Sequence, residues 1–292
     1  MNKKKEAGPT KNFLGAFDKV LAEFEESLNR LSGDSVSLSG QKNRQARAKL
    51  EEAARRLVAF AESLDVTRRP KSVFDPSNPA LFGRFVALTL IAQDRVQLSM
   101  VPPFYGSGVY AIYYKGPFTL YRPIRNIEHP IYVGKADPAI DGATTSVLQG
   151  RRLWSRLKDH QKNISKSRNL KIEHFECRFL VVASGWQKAA EEYLIQLFSP
   201  IWNSEMRLVY GLGKHGDAAS TRGNRRSPWD TLHPGRRWAK GTKSNQKSIA
   251  RIRSQLELHF KDAKPYKNLR DIFARFMSEM HQLPTVSSST NP

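Results

Sequence analysis

The chain has 292 residues, with 48 Lys and Arg against 27 Asp and Glu, for a formal net charge of +21. Hydrophobic residues make up 39% of it, enough for a packed core in one large domain or two small ones, and too many for a wholly disordered chain. The longest apolar run, around 85–92, contains Thr89 and falls far short of the ~20 residues of a membrane span.

Met1-Asn-Lys-Lys-Lys is followed by no apolar stretch, so a secretion signal is not expected. One cysteine, Cys177, excludes an internal disulfide and a multi-cysteine zinc site. Together these predict a cytoplasmic protein. A large cationic surplus attracts polyanions, which makes nucleic acid the leading partner and leaves no membrane role.

Taken in chain order, residues 13–31 carry apolar residues at helical spacing, from Phe13 and Phe17 to Leu28 and Leu31. After a Ser/Gly-rich connection at 32–40, a second helix is predicted over 41–64, with Leu50, Ala54, Leu57, Phe60 and Leu64 on one face. Residues 1–70 therefore read as an α-hairpin for packing or dimerisation. Prolines at 70, 76 and 79 mark a boundary.

A buried helix is predicted over 81–93. The period then changes: 108–115 and 130–135 are short, aromatic and β-branched, and read as strands joined by a long connection at 116–129. A helix over 150–164, a third strand over 174–183 and a helix over 185–199, stopped by Pro200, complete a core over 71–205. The expected class is α/β (α+β), with a small three-stranded, largely antiparallel sheet flanked by helices.

Residues 206–292 read as a basic extension. Within it, 206–261 holds 13 Lys and Arg against 3 Asp and Glu. Helices are predicted near 247–261 and 266–282, followed by a disordered tail.

Several patterns carry no chemistry. Gly211-Leu-Gly-Lys-His-Gly216 has dinucleotide-loop spacing, but the polar stretch after it, with Arg225, Arg226 and Pro228, opens no helix. No small-molecule cofactor is expected. On a strand, His174 and Glu176 share one face and Cys177 the other, so a metal cluster is disfavoured. Asp159-His160 sits in a helical pattern, where a ββα-metal nuclease needs its His on a strand.

A stronger constellation begins at Gly108-Val-Tyr110, followed 22 residues after Tyr110 by Tyr132-Val-Gly134-Lys135. On the next helix, Arg152, Arg156 and His160 recur every four residues and share a face. Further on stands Glu191, with Pro200 nine and Asn203 twelve residues beyond it. In this order the elements resemble the GIY-YIG nuclease superfamily, with Val for Ile in both half-motifs. Phe74-Asp-Pro-Ser-Asn-Pro79 and Trp229-Asp-Thr-Leu-His-Pro-Gly-Arg236 resemble its type II restriction endonuclease branch.

The resemblance covers roughly 70–240. It implies a sequence-specific endonuclease on double-stranded DNA, with a GC-rich six-base palindrome (CCGCGG as the best guess) as target. It nominates Glu191 rather than Glu192 as metal ligand and Tyr110 as the base.

Phosphodiester hydrolysis needs a deprotonated water and cationic help for the phosphoryl oxygens. With one motif carboxylate, the site should hold one Mg²⁺. Arg156 suits the scissile phosphate, and Lys135 is a further cation. A phenol has a pKa near 10, and His160, with an ordinary pKa near 6.5, is an alternative proton acceptor. Tyr132 is expected to position water or phosphate, and Asn203 to hold the site together. Arg222, Arg225, Arg226, Arg236 and Arg237 are candidates for reading bases or gripping phosphates. A palindrome implies a homodimer. The competing readings are a repair or mobile-element nuclease of the same fold and a non-catalytic DNA-binding protein.

Overall fold

The computed structural model describes residues 10–33, 40–64, 78–213, 225–242 and 244–281. The chain divides into two compact units, Met1–Lys71 and Ser72–Pro292. No described helix is long and apolar enough to cross a membrane.

In the first unit, α1 (Thr10–Gly33) and α2 (Gly40–Leu64) lie where the apolar periodicity places them. Phe17 and Phe60 meet with ring centroids 6.0 Å apart. Much of the stripe, including Leu21, Phe24, Leu50 and Leu57, stays exposed. Two helices lack a third element to cover both apolar faces. Ion pairs such as Arg47–Glu51 sit at the surface, where water and salt screen them.

The second unit opens with α3 (Pro79–Ala92), which has proline in its first turn and Asn78 accepting a bond from the Ala80 N–H. Its sheet has four strands rather than the three expected: β1 (Val96–Gln97), β2 (Gly108–Tyr114), β3 (Tyr132–Ala136) and β4 (Phe175–Val181), in the order β1-β4-β2-β3, all antiparallel. A two-residue strand is too short to show a period in sequence. It is recognisable only by its partner, with Val96 opposite Cys177 and Gln97 opposite Glu176.

Every residue of β2 is buried, because helices cover both faces of the sheet. The alternation of a strand divides them. Tyr110, Ile112 and Tyr114 face a core with Leu153, Leu157, Trp202 and Trp229. Val109, Ala111 and Tyr113 face another with Leu90, Leu194 and Phe198. The first face is covered by α5 (Arg152–Ser165), which follows the single turn α4 (Ser146–Gln149). The second is covered by α3 and α6 (Gln187–Phe198). Within the 116–129 connection, a 3-10 turn at Thr119–Ile124 buries Tyr121.

Residues 206–245 differ most from expectation. Leu208, Val209, Leu212, Trp229 and Leu232 enter the first core, so the 205/206 boundary falls inside the second unit. Trp229 and Leu232 sit on α7 (Pro228–Leu232), one of several short elements here with β5 (Arg225–Arg226), α8 (Arg237–Lys240) and β6 (Ser244–Asn245), β5 and β6 being parallel, whereas Leu208, Val209 and Leu212 lie on the irregular segment before them. Tyr121 and His233 share a hydrogen bond of 2.5 Å, and Trp202 Nε1 donates to Tyr121 Oη at 2.8 Å. Burial pushes the His233 pKa down to about 3, so its ring is neutral packing. Helices α9 (Ile249–Asp262) and α10 (Leu269–His281) follow, and α10 adds Ile272 and Phe276 to the second core.

Candidate active site

Antiparallel register brings the two tyrosines together. Tyr110 lies opposite Gly134 and Tyr132 opposite Ile112, so both rings rise from one face as diagonal neighbours, 6.0 Å between centroids. A Cβ on Gly134 would lie 2.6 Å from Tyr110 Oη. The glycine is therefore needed because the phenol occupies the space above it.

Across this face runs α5, with Leu153, Leu157 and Ile164 in the core. The same helix inserts His160, whose Nε2 lies 2.6 Å from Tyr110 Oη. Arg156, one turn earlier on α5, and Tyr132, whose ring packs against Tyr110, both act electrostatically on the Tyr110 hydroxyl.

Tyr110 is fully buried, behind the half-buried Tyr132 and Arg156. Burial holds its phenol well above 10, with Tyr132 adding to the effect and the Arg156 cation opposing it. The resting hydroxyl is un-ionised and already hydrogen-bonded.

Beside this cluster opens a cleft of about 510 Å³, lined by Lys135, Asp137, Arg152, Arg156, Asp159 and Glu191, among others. Glu191 comes from α6 and faces the cleft, while Glu192 is exposed beside Lys188. The Lys135 backbone lies near the Glu191 carboxylate and favours its charged form. Burial raises the Glu191 pKa to about 7, assisted by Glu205 and Asp137 and opposed by Lys135. The Lys135 ammonium is paired with Asp137.

Among the described residues no three His, Cys, Asp or Glu side chains cluster to form a metal cage. A half-buried carboxylate on an open polar cleft suits a hydrated divalent ion that takes its remaining ligands from water and substrate phosphate. Such ions are general among restriction endonucleases of this kind.

Asn203 stands away from the cleft. Its amide brackets β3: Oδ1 accepts from the Val133 N–H at 3.0 Å, and Nδ2 donates to the Val133 carbonyl at 2.9 Å. It positions the strand that carries Tyr132, Gly134 and Lys135.

Asp137, Asp159 and Glu205 were not selected from sequence. Asp137 lies only two residues beyond Lys135, at the end of the strand, where a cleft-facing carboxylate could have been suspected.

The five arginines of the basic segment separate. Arg222 lies outside the described residues. Arg225 and Arg237 are exposed, and Arg226 is half-buried, with Nε donating to Ala239 O and Thr242 Oγ1. Arg236 is a correction. It is 2% exposed and pairs through two 2.6 Å bonds with Asp230, itself 0% exposed. It also donates to the carbonyls of Gly211 and Leu212. Its guanidinium is turned into the fold, away from solvent.

Arg236→Ala should therefore destabilise the protein by about 3–5 kcal/mol, because it leaves a buried Asp230 charge uncompensated. Arg237→Ala should fall within about 0.5 kcal/mol of the parent. Urea unfolding of both checks this. A stable Arg236→Ala protein that loses discrimination at one base pair would return Arg236 to the DNA surface.

Cys177 is also inert: burial pushes its thiol up to about 12.

Comparison with curated proteins finds no match. The family model of the Eco29kI GIY-YIG domain matches residues 102–260, which contain both tyrosines, α5, Glu191, Asn203 and the Arg236–Asp230 pair. That is more than half of the chain, and the chain belongs to this family of GIY-YIG restriction endonucleases, nucleases that act on DNA.

Proposed function

We propose that the protein is a type II restriction enzyme that cuts double-stranded DNA at a specific palindrome, GC-rich and six bases long, with CCGCGG as the leading candidate. The observation that carries the chemical reading is a single cleft that presents Glu191, Lys135 and Arg156, with the Tyr110–His160 pair directly behind Arg156. Glu191 would hold one Mg²⁺, which supplies charge stabilisation at the phosphate and the leaving oxygen. Arg156 and Lys135 meet the phosphoryl oxygens. Tyr132, packed against Tyr110 and His160, orients the attacking water.

Tyr110 takes the water's proton as its own proton passes to His160 Nε2. This sequence avoids a free phenolate, whose formation burial opposes. It makes the two candidate bases a single device.

A palindromic target calls for two active sites related by a two-fold axis, hence a homodimer. The exposed apolar face of the α1–α2 hairpin is the element available for it. A restriction enzyme of this kind works in the cytoplasm.

The test is digestion of plasmid DNA with Mg²⁺ and with EDTA. A discrete fragment ladder that needs Mg²⁺ is expected. A smear, or structure-dependent nicking, would instead indicate a repair or mobile-element nuclease, and intact DNA a binding protein without activity.

A further inference from the structure

Away from the catalytic cleft, the loop after α5 meets the segment around α8. The Arg168 N–H donates to the Pro234 carbonyl at 2.8 Å. A Cβ on Gly235 would lie 1.9 Å from the Lys166 carbonyl, so only glycine permits this closeness. The junction leaves a small pocket of about 110 Å³, lined by Arg168, Arg226, Lys240 and the Asp230–Arg236 pair, among others.

The charges around this pocket do not balance. Asp230, its one carboxylate, is spent on Arg236 and on Ser227 Oγ. Arg226 is anchored through Nε alone, which directs its guanidinium while its terminal nitrogens make no described ion pair. Arg168 and Lys240 are exposed. Three cations thus line a pocket in which, among the described residues, Asp230 is the one carboxylate and is already paired.

We propose that this pocket seats a backbone phosphate of the bound DNA, as a positioning contact outside the catalytic centre. The proposal rests on the reading of the chain as a DNA endonuclease.

The location suits that role. Ser165 ends α5 nine residues beyond Arg156, a rise of ~14 Å at 1.5 Å per residue. Phosphates of one strand recur every ~3.4 Å along the duplex axis, so this spans roughly four base pairs. A duplex lying along α5 would reach both sites. Arg236, at the back of the pocket, also holds Gly211 and Leu212, and a Cβ on Gly213 would lie 3.8 Å from the Arg156 guanidinium. One segment therefore ties the pocket to the catalytic arginine.

The test compares Arg168→Ala, Lys240→Ala, their double variant and Arg270→Ala, an exposed cation on α10 that serves as charge-matched control. Binding to cognate and random duplexes is measured at several salt concentrations. Each pocket variant should weaken both duplexes alike and lower the salt slope by about one, with the double variant lowering it by about two and binding roughly tenfold more weakly. Arg270→Ala should leave binding near the parent value. Thermal melting confirms that the variants are folded.

If the parent protein binds DNA and the double variant behaves like Arg270→Ala, the pocket assignment is wrong. A loss confined to the cognate duplex also overturns it, because that is base reading. If the parent binds no duplex, the endonuclease reading itself fails.

Discussion

Glu191→Gln should abolish Mg²⁺-dependent cleavage while specific DNA binding is largely retained. The substitution keeps the shape of the side chain and removes the charge that faces the cleft. Neither Asp137, paired with Lys135, nor Glu205 takes its place on α6. The proposed DNA-contacting cations lie elsewhere and are untouched. Glu192→Gln is the matched control. That carboxylate is exposed and one residue out of register with the cleft, so its loss should change the rate little.

A pH dependence follows from the same group. Without a cation, burial and the neighbouring carboxylates keep Glu191 protonated until about pH 7. Metal must displace that proton, so metal affinity should rise as pH rises through 7 and weaken below it. Calorimetric titration of Mg²⁺ at pH 6 and pH 8 reads this directly. Glu191→Gln should lose both the binding and its pH dependence. A Glu191→Gln enzyme that cuts at near the parental rate would remove Glu191 from the metal site.

Tyr110→Phe should lower cleavage at least a hundredfold, about 2.7 kcal/mol of activation free energy. It deletes one oxygen and keeps the ring in its packing against Tyr132 and His160. That oxygen is hydrogen-bonded to His160 and lies in the field of Arg156. Single-turnover rates at saturating DNA separate this chemical defect from a binding defect. His160→Ala should be impaired in the same step. Because the two residues share one proton, the double variant should be little worse than either single. An active Tyr110→Phe enzyme would leave His160, or a water held by the metal, as the acceptor.

The main elements of the nuclease core were legible because their signals are local. The run from Gly108 to Tyr114 alternates between two buried faces, and every second residue of β2 does enter a different core. Arg156 and His160 fall on one face of α5 because four residues make nearly one turn. The helix face at Glu191 rather than Glu192 followed from a resemblance, which encodes geometry that no period reveals.

What sequence left open was decided by long-range pairing. The edge strand at Val96–Gln97 exists because β4 offers it a partner. Burial of Tyr110 depends on Tyr132 and α5 lying over it, and that burial keeps the phenol un-ionised beside His160.

The basic stretch 206–245 was the least legible part. Its charge and small residues suggest a surface, and for Arg225 and Arg237 that is where they lie. Arg236 closes the Trp229–Arg236 motif, but nothing in that motif says that its guanidinium is buried. Only folding brings Asp230 and two backbone carbonyls around it. Net charge can be read from composition because charges add. Whether one arginine faces solvent or a buried carboxylate depends on which distant residues surround it, and that is set by tertiary structure.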